Sequence, residues 1–398
     1  MKSRRGEAGL TLIEMMVAVL ISMVLAVAIM SVMSSFEGRR RTLGSASDLD
    51  QAGSLALFQI DGWIRSAGTG LVQGNAYAYG CKLHASRSAT QILPATTALP
   101  APFASVKAGA AGEFRLAPVM ILPGQTTPGV SGQPSDVLVL MSSGNDGSQV
   151  AAPLTAPPAA AQLSVANTTD FAASDLLLIA DQQAASGGGA ADCLVSQASS
   201  ATPANGMATT LPLGGAYYAA SVGTRAVTDF TGDAVAIDLG GDGTAAASSL
   251  APAFQLVGVG DNDTLFSYDL LLTSPAPLQA RAEGVFELHA VYGVDSTGSG
   301  TNKIDKWVDA GADGGYSVSA LSAGDAAATG LLKNIRAVRV ALVMRTSLPE
   351  KKAVETATTL TLFPDLDGLT LTRKLSPAEQ HYRYRVLETT IPVRNNNY

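Results

Sequence analysis

The sequence predicts an α+β protein in which one long N-terminal helix packs on a large, mainly antiparallel β-rich domain. After Glu14 no charged residue occurs until Glu37. Apolar residues then recur at three- and four-residue steps as far as Ala67, which is the spacing of one helix face. Farther on, runs rich in β-branched and aromatic residues are separated by Gly, Asp and Asn, as in an antiparallel sheet that packs on a helix.

The uncharged run from Met15 to Phe36 is long enough to cross a bilayer as a helix, which needs about 20 residues. A short basic leader precedes it and ends at Gly9. A conventional secretory signal would have a shorter apolar region, of roughly 7–15 residues, and a cleavage site after it. The run is too long for that class, and its glycine lies before it. A plain single-pass anchor remains the alternative.

Glu14 is the one carboxylate at the edge of this apolar run. An acidic side chain costs roughly 2.5–3.5 kcal/mol at the centre of a membrane helix, so its presence there indicates a function. Thr11 and Glu14 also have the spacing of a capping box, in which the two side chains satisfy backbone N–H groups at a helix start. The two interpretations are compatible.

Gly9 followed by Leu-Thr-Leu-Ile-Glu and an apolar helix resembles the class III signal of type IV pilins and pseudopilins. Leu10 stands where the family usually has Phe. The resemblance implies cleavage between Gly9 and Leu10 by a prepilin peptidase, and N-methylation of the new amino terminus at Leu10. It also implies that Glu14 compensates the positive amino terminus of a neighbouring subunit when the helices bundle.

With this resemblance the chain divides into a leader peptide (1–9), a transmembrane and assembly helix (10–36), a periplasmic half of the helix (37–68) and a periplasmic β-rich domain with Ala/Gly-rich insertions (69–398). Arginines and lysines flank both ends of the apolar run, so the positive-inside rule gives no orientation. The leader motif supplies it: the protein is expected in the inner membrane with its C-terminal domain in the periplasm, and in the pilus after assembly.

Strands are predicted at Asp136–Met141, Leu176–Ala180, Cys193–Gln197, Phe254–Val259, Leu265–Leu272, Val285–Val294, Ile335–Arg345 and Tyr382–Val393. The last five, in the C-terminal part of the chain, are the most distinct. Segments 151–161 and 184–191 are predicted to be loops. The runs 283–295, 338–345 and 382–395, together with Arg65-Ser-Ala-Gly68, resemble PilW-type minor pilins.

Cys81 and Cys193 are the only cysteines, and both lie in the part of the chain expected in the periplasm. An oxidising compartment favours a disulfide, and an exposed thiol there would be open to mixed disulfides. The sequence therefore predicts a bridge, which would close a loop of about 110 residues and contribute roughly 4–5 kcal/mol in the chain-entropy model. Two separate buried thiols are the alternative.

No catalytic constellation is visible, and an enzyme is not predicted. The three histidines (His84, His289 and His381) lack the local spacing of a metal or nucleophile site. Calcium is the one cofactor alternative, because Asp295, Thr297 and Ser299 alternate like the start of a calcium loop, with Asp305 near its end. The same residue types also suit tight turns. A net charge of −7, with no basic block outside the N-terminal region, argues against nucleic-acid binding.

The sequence thus predicts a minor pilin that joins other minor pilins in a priming and tip complex for type IV pilus assembly. Its expected partners are the prepilin peptidase, the other minor pilins, the major pilin and the pilus assembly platform, with a tip adhesin as a further candidate. A minor pseudopilin of a type II secretion system would share the N-terminal chemistry. A tip adhesin that binds a surface ligand is a further alternative, suggested by the Ala/Gly-rich insertions.

Overall fold

A computed structural model describes most of the chain. The described ranges are 11–71, 78–106, 112–126, 134–144, 151–181, 192–200, 208–244, 250–272, 277–298, 303–311 and 315–396. They form two compact units, one ending at Gln51 and the other beginning at Ala52.

The long helix α1 spans Leu12–Ser66. It stops where the sequence predicts, because Gly68 and Gly70 adopt φ values of +82° and +70° that a side chain disfavours. The C-terminal tail secures this end. The side-chain amide nitrogen of Asn395 donates hydrogen bonds to the carbonyl oxygens of Arg65 at 3.2 Å and Ala67 at 3.3 Å. The end of a helix leaves such carbonyl groups without intrahelical partners.

The unit that begins at Ala52 is rich in β-structure. Its strands are β1 (Lys82–Arg87), β2 (Thr90–Leu93), β3 (Val119–Thr126), β4 (Ser135–Ser142), β5 (Ala152–Pro153), β6 (Gln162–Ser164), β7 (Asp175–Ala180), β8 (Asp192–Gln197), β9 (Thr210–Pro212), β10 (Ser221–Val222), β11 (Arg225–Ala226), β12 (Val235–Gly241), β13 (Ala253–Gly260), β14 (Thr264–Asp269), β15 (Leu278–Glu283), β16 (Val285–Val294), β17 (Lys306–Asp309), β18 (Ile335–Arg345), β19 (Thr359–Leu362), β20 (Leu371–Lys374) and β21 (Tyr384–Pro392). Two short helices, α2 (Val318–Leu321) and α3 (Ala326–Asn334), precede β18.

Three larger sheets organise these strands. Their strand orders are β2-β1-β8-β7-β12-β5, β15-β14-β13-β4-β3 and β17-β16-β18-β21. Among the described strands only the β1–β8 pair is parallel, so the predicted mainly antiparallel α+β fold is confirmed. Three two-stranded ribbons, β6–β9, β10–β11 and β19–β20, complete the set.

The last turns of α1 pack on the four-stranded sheet. Ile60 and Ile64 are fully buried. A Cβ built on Gly53 would lie 2.4 Å from the side chain of Leu387 in β21 and 3.2 Å from that of Met344 in β18. Only a residue without a side chain allows the helix to approach the sheet this closely. The opposite face of the sheet is covered by the β19–β20 ribbon, through a cluster that includes Phe286, Leu362 and Phe363.

The six-stranded sheet has a hydrophobic core of its own. Leu177 and Ile179 of β7, Leu194 of β8 and Ala236 of β12 form its centre, and the β6–β9 ribbon adds Leu163 and Leu211. This sheet draws its strands from the Ala/Gly-rich middle of the chain, where the sequence predicts β7 and β8. The middle is therefore a folded part of the protein with its own core.

The predicted strands agree with the observed ones within one or two residues, with one difference. β14 ends at Asp269, whereas the sequence favours a strand to Leu272. The carboxylate of Asp269 accepts hydrogen bonds from the backbone N–H groups of Leu271 at 2.9 Å and Leu272 at 2.7 Å, which turns the chain out of the sheet. Of the two predicted loops, 151–161 contains the two-residue strand β5, and 184–191 lies outside the described residues.

Candidate functional site

The N-terminal part of α1 is a candidate membrane span. Residues Leu12–Met33 form 22 residues of apolar helix whose side chains are not buried by the chain itself. Gly9 and Leu10, the predicted cleavage and methylation residues, lie outside the described residues. Their roles stay predictions of the sequence.

Thr11 and Glu14 form the predicted capping box. The Glu14 carboxylate accepts hydrogen bonds from the backbone N–H and the hydroxyl of Thr11, both at 2.9 Å. In return the hydroxyl oxygen of Thr11 accepts from the backbone N–H of Glu14 at 3.4 Å. The carboxylate is therefore held at the first turn of α1, where it also complements the positive end of the helix dipole. Its role in assembly stays a prediction.

The part of α1 that belongs to the second unit carries an exposed apolar face. Phe58 is 75% exposed and Leu55 is 50% exposed. Gly62 lies one turn after Phe58, and a Cβ built on it would meet no atom within 4 Å. Large apolar residues on a regular helix face, next to a residue without a side chain, form a flat surface that another helix can approach. We call Leu55, Phe58 and Gly62 the docking face.

The two cysteines are joined. Cys81 and Cys193 form a disulfide with a Cα–Cα distance of 5.7 Å, which confirms the predicted bridge and excludes two separate thiols. Both residues are fully buried. The bridge lies at the parallel pair of the six-stranded sheet, where Leu83 of β1 is opposite Cys193 of β8.

The calcium candidates have protein partners. Asp305 accepts hydrogen bonds from the backbone N–H and the hydroxyl of Ser296, both at 2.8 Å. Asp295 accepts from the hydroxyl of Thr297 at 2.7 Å and lies 3.8 Å from the guanidinium of Arg336. Ser299 lies outside the described residues. Within the described ranges, no group of three or more His, Cys, Asp or Glu side chains is arranged to hold a metal.

The three histidines lie in different elements of the fold. The ring of His84 in β1 lies between Asp192 at 3.1 Å and the carbonyl oxygen of Val222 at 3.2 Å. The hydrogen bond to His84 lowers the pKa of Asp192. His381 faces the carbonyl oxygen of Glu350 at 2.7 Å. Each described histidine therefore has a structural partner, and no two of them meet.

His289 is the residue whose environment the sequence does not reveal. Its ring nitrogens face Glu287 in the same strand and Asp136 in β4. The alternation Glu287-Leu-His289 places both side chains on one face of β16, and this signal is visible in the sequence. The contact with Asp136 depends on how two sheets meet, which no local pattern contains.

Two family models match the chain. The model described as Type IV Pilus-assembly protein W matches residues 259–395, which contain β14 to β21. The model described as Prokaryotic N-terminal methylation motif matches residues 4–30, which contain Gly9, Leu10 and Glu14. No curated protein matches the chain, and no solved structure does. The two matched segments agree with the segments that carry the resemblance in the sequence.

Proposed function

We propose that this chain, a type IV pilus minor pilin of the PilW type, joins other minor pilins in the complex that primes pilus assembly and occupies the pilus tip. Its role is structural, as an assembly subunit. The observation that carries this proposal is the docking face of α1, which the chain's own fold leaves exposed. The PilW match favours a pilus over a type II secretion system as the site of action.

Gly62 gives the docking face a preference for a helix as its partner. A glycine in a helix interior costs about 1 kcal/mol relative to alanine. Because a Cβ at this position would meet nothing within 4 Å, the fold of the described residues gives no packing reason for this cost. Glycine at a helix surface lets the backbone of a second helix approach closely. The partner we propose is therefore the N-terminal helix of another pilin, with its apolar side chains against Phe58.

The docking face is tested by placing a photo-crosslinking amino acid at Phe58 in the full chain. We expect crosslinks to other minor pilins when these are produced in the same cells, since Phe58 projects into the proposed contact. Leu348 is the matched control, because it is also a large apolar side chain, with 71% exposure, but lies in a loop after β18. Equal crosslinking from both positions, or none from position 58, would exclude the docking face as the interface.

Glu14→Ala is expected to insert in the membrane and fold, yet to fail in assembly. The reason is that a carboxylate at the edge of the bilayer requires a cationic partner, and a neighbouring subunit supplies it as the amino terminus at Leu10. The measurement is co-purification of the other minor pilins with the variant. Glu14→Gln is the control, since it retains hydrogen bonding within the capping box and removes the charge. A complex that forms with Glu14→Gln as well as it does with the unmodified chain would contradict a role for the charge.

The methylation motif supports the remaining parts of the proposal. These are processing by the prepilin peptidase, N-methylation at Leu10, contact with the major pilin and the assembly platform, and insertion in the inner membrane with the β-rich unit in the periplasm. The buried disulfide supports an oxidising compartment for this unit. Access of a protease to the β-rich unit in spheroplasts, but not in intact cells, would test the orientation.

A further inference from the structure

His289 lies between two carboxylates at a buried position. Its Nε2 atom is 3.2 Å from Oε2 of Glu287, and its Nδ1 atom is 3.8 Å from Oδ2 of Asp136. The side chain of Glu287 is 1% exposed. An ionised carboxylate can only accept hydrogen bonds, and a neutral imidazole has one N–H donor. Only the protonated ring presents a donor to both carboxylates.

The same cluster continues away from His289. The other oxygen of Glu287 accepts a hydrogen bond from Nε of Arg373 in β20 at 2.7 Å, and Arg373 also pairs with Glu379. Arg373 therefore has two carboxylates to neutralise. It does not reach Asp136, for which His289 is the cationic neighbour. The remaining charged group that acts on Asp136 is Asp309 at the end of β17, which is negative.

Asp136 connects two sheets of the protein. β17 pairs only with residues 291–294 of β16, so the first part of that edge of β16 is not covered by a strand. Side chains from β4 take its place. Oδ2 of Asp136 accepts a hydrogen bond from the backbone N–H of Ala290 at 2.9 Å, and the hydroxyl of Ser135 accepts from the N–H of Leu288 at 2.8 Å. These bonds fasten the five-stranded sheet to the four-stranded sheet.

We propose that His289 is a pH-sensitive fastener between these two sheets, which holds when the imidazole is protonated and loosens when the proton leaves. With a neutral ring, Asp136 and Glu287 are two buried negative charges, of which Glu287 keeps its pair with Arg373 and Asp136 loses its cationic neighbour. Burial of a charge without a close counter-charge is costly. This cost weakens the hydrogen bond that Asp136 accepts from the backbone of β16, so the junction between the two sheets opens more often.

The charges around His289 determine the direction of the pH effect. Burial and the charge of Arg373 lower the pKa of His289, but the hydrogen bond to Glu287 and the charges of Asp136 and Glu287 outweigh them and raise the pKa above 6.5. Burial also raises the pKa of Asp136, although His289 and two backbone N–H groups act against this. In both groups the folded chain binds protons more tightly than the unfolded chain. Stability from His289 is therefore complete below pH 6.5 and is lost as the pH rises through the raised pKa.

The three histidines of the chain make this measurable by NMR of the full chain in detergent micelles, with the imidazole signals followed from pH 5.5 to 9. We expect the His289 signal to titrate above pH 6.5. In parallel, hydrogen exchange at the N–H groups of Leu288 and Ala290 reports opening of the junction. The exchange rates, corrected for the intrinsic rate of an unprotected amide, give the opening constant, which is the equilibrium constant for opening of the junction. Between pH 6.5 and the measured pKa of His289, this opening constant should rise about tenfold per pH unit.

His289→Gln keeps a hydrogen-bond donor in the cluster but cannot titrate, so its opening constant should lose the rise between pH 6.5 and the pKa of His289. His381→Gln is the matched control, because the hydrogen-bond partner of the His381 ring among the described residues is the backbone carbonyl of Glu350. This variant should behave as the unmodified chain does. A His289 signal that titrates at or below pH 6.5 would overturn the proposal, as would an unchanged pH dependence in His289→Gln. If that variant does not fold, the titration and exchange of the unmodified chain decide the question alone.

Discussion

Gly9→Val is expected to abolish removal of the leader and to leave the full precursor in the membrane. A peptidase that cuts between Gly9 and Leu10 must draw the backbone close to its catalytic groups, and glycine permits this approach because it has no side chain. The β-branched side chain of valine obstructs the backbone and stiffens it. The effect should be close to all-or-none, because cleavage requires this one approach.

Intact mass measured on the purified protein distinguishes the two outcomes, since cleavage after Gly9 would give a mature chain that begins at Leu10 and lacks residues 1–9. Leu10→Phe is the matched control, because phenylalanine is the residue that the prepilin motif usually has at this position. It should be cleaved as the unmodified chain is. Mature protein of the normal mass from Gly9→Val would contradict the processing site and, with it, the pilin assignment of the N-terminal segment.

The elements that the sequence predicts well are those with an uninterrupted local pattern. α1 was predictable because its buried face, which includes Ala56, Ile60 and Ala67, recurs with helical spacing, and because glycines end it. β16 and β18 are long runs rich in β-branched and other apolar residues. In each case the apolar residues that indicate the element in the sequence are also residues whose side chains are buried in the structure.

Two of the strands that escape prediction, β3 and β12, contain residues that interrupt the pattern. β3 includes Pro123 and Gly124, with a φ of +60° at the glycine, and its pairing with β4 is irregular between Leu122 and Thr126. β12 contains a bulge between Asp238 and Gly240. Bulges place an extra residue in one strand, so the period of two on which a strand is recognised is lost there.

The features of the candidate site also divide into those that a local sequence pattern predicts and those that depend on the tertiary structure. The capping box is a local pattern, and the disulfide follows from the count of cysteines and the compartment. The docking face is predictable only as the complement of the buried face, since Leu55 and Phe58 do not belong to the helical stripe that packs on the sheet. The cluster of His289 and Asp136 joins β16 to β4 across two sheets, and only the tertiary structure reveals it.

Loss of the disulfide between Cys81 and Cys193 is expected to lower the free energy of unfolding by about 2–5 kcal/mol. The two cysteines are 112 residues apart, so the bridge removes much of the freedom of the unfolded chain. It also lies beside the β1–β8 pair, in which Leu83 is opposite Cys193. Parallel pairing of strands this distant in sequence has a large entropic cost of loop closure, and the bridge offsets it.

Chemical denaturation of the full chain in detergent should be compared between the oxidised and the reduced form. This comparison isolates the effect of the crosslink, because both forms contain the same two sulfur atoms. The variant with Cys81→Ala and Cys193→Ala removes the sulfur atoms as well, and both residues are fully buried. We expect this variant to be less stable than the reduced chain by the cost of the cavity. Comparison of the two separates the crosslink from the packing of the sulfur atoms.

Hydrogen exchange should show where the stabilisation acts. In the reduced chain we expect the amides of β1 and β8 to lose the most protection, because these strands depend on the bridge for their pairing. The amides of β18 should change little, since β18 pairs with β16 and β21 in another sheet. Equal unfolding midpoints for the oxidised and reduced chains would contradict a stabilising bridge. A loss of protection spread evenly over both sheets would instead show that the six-stranded sheet does not open separately, so that the bridge stabilises the whole unit from Ala52 onward.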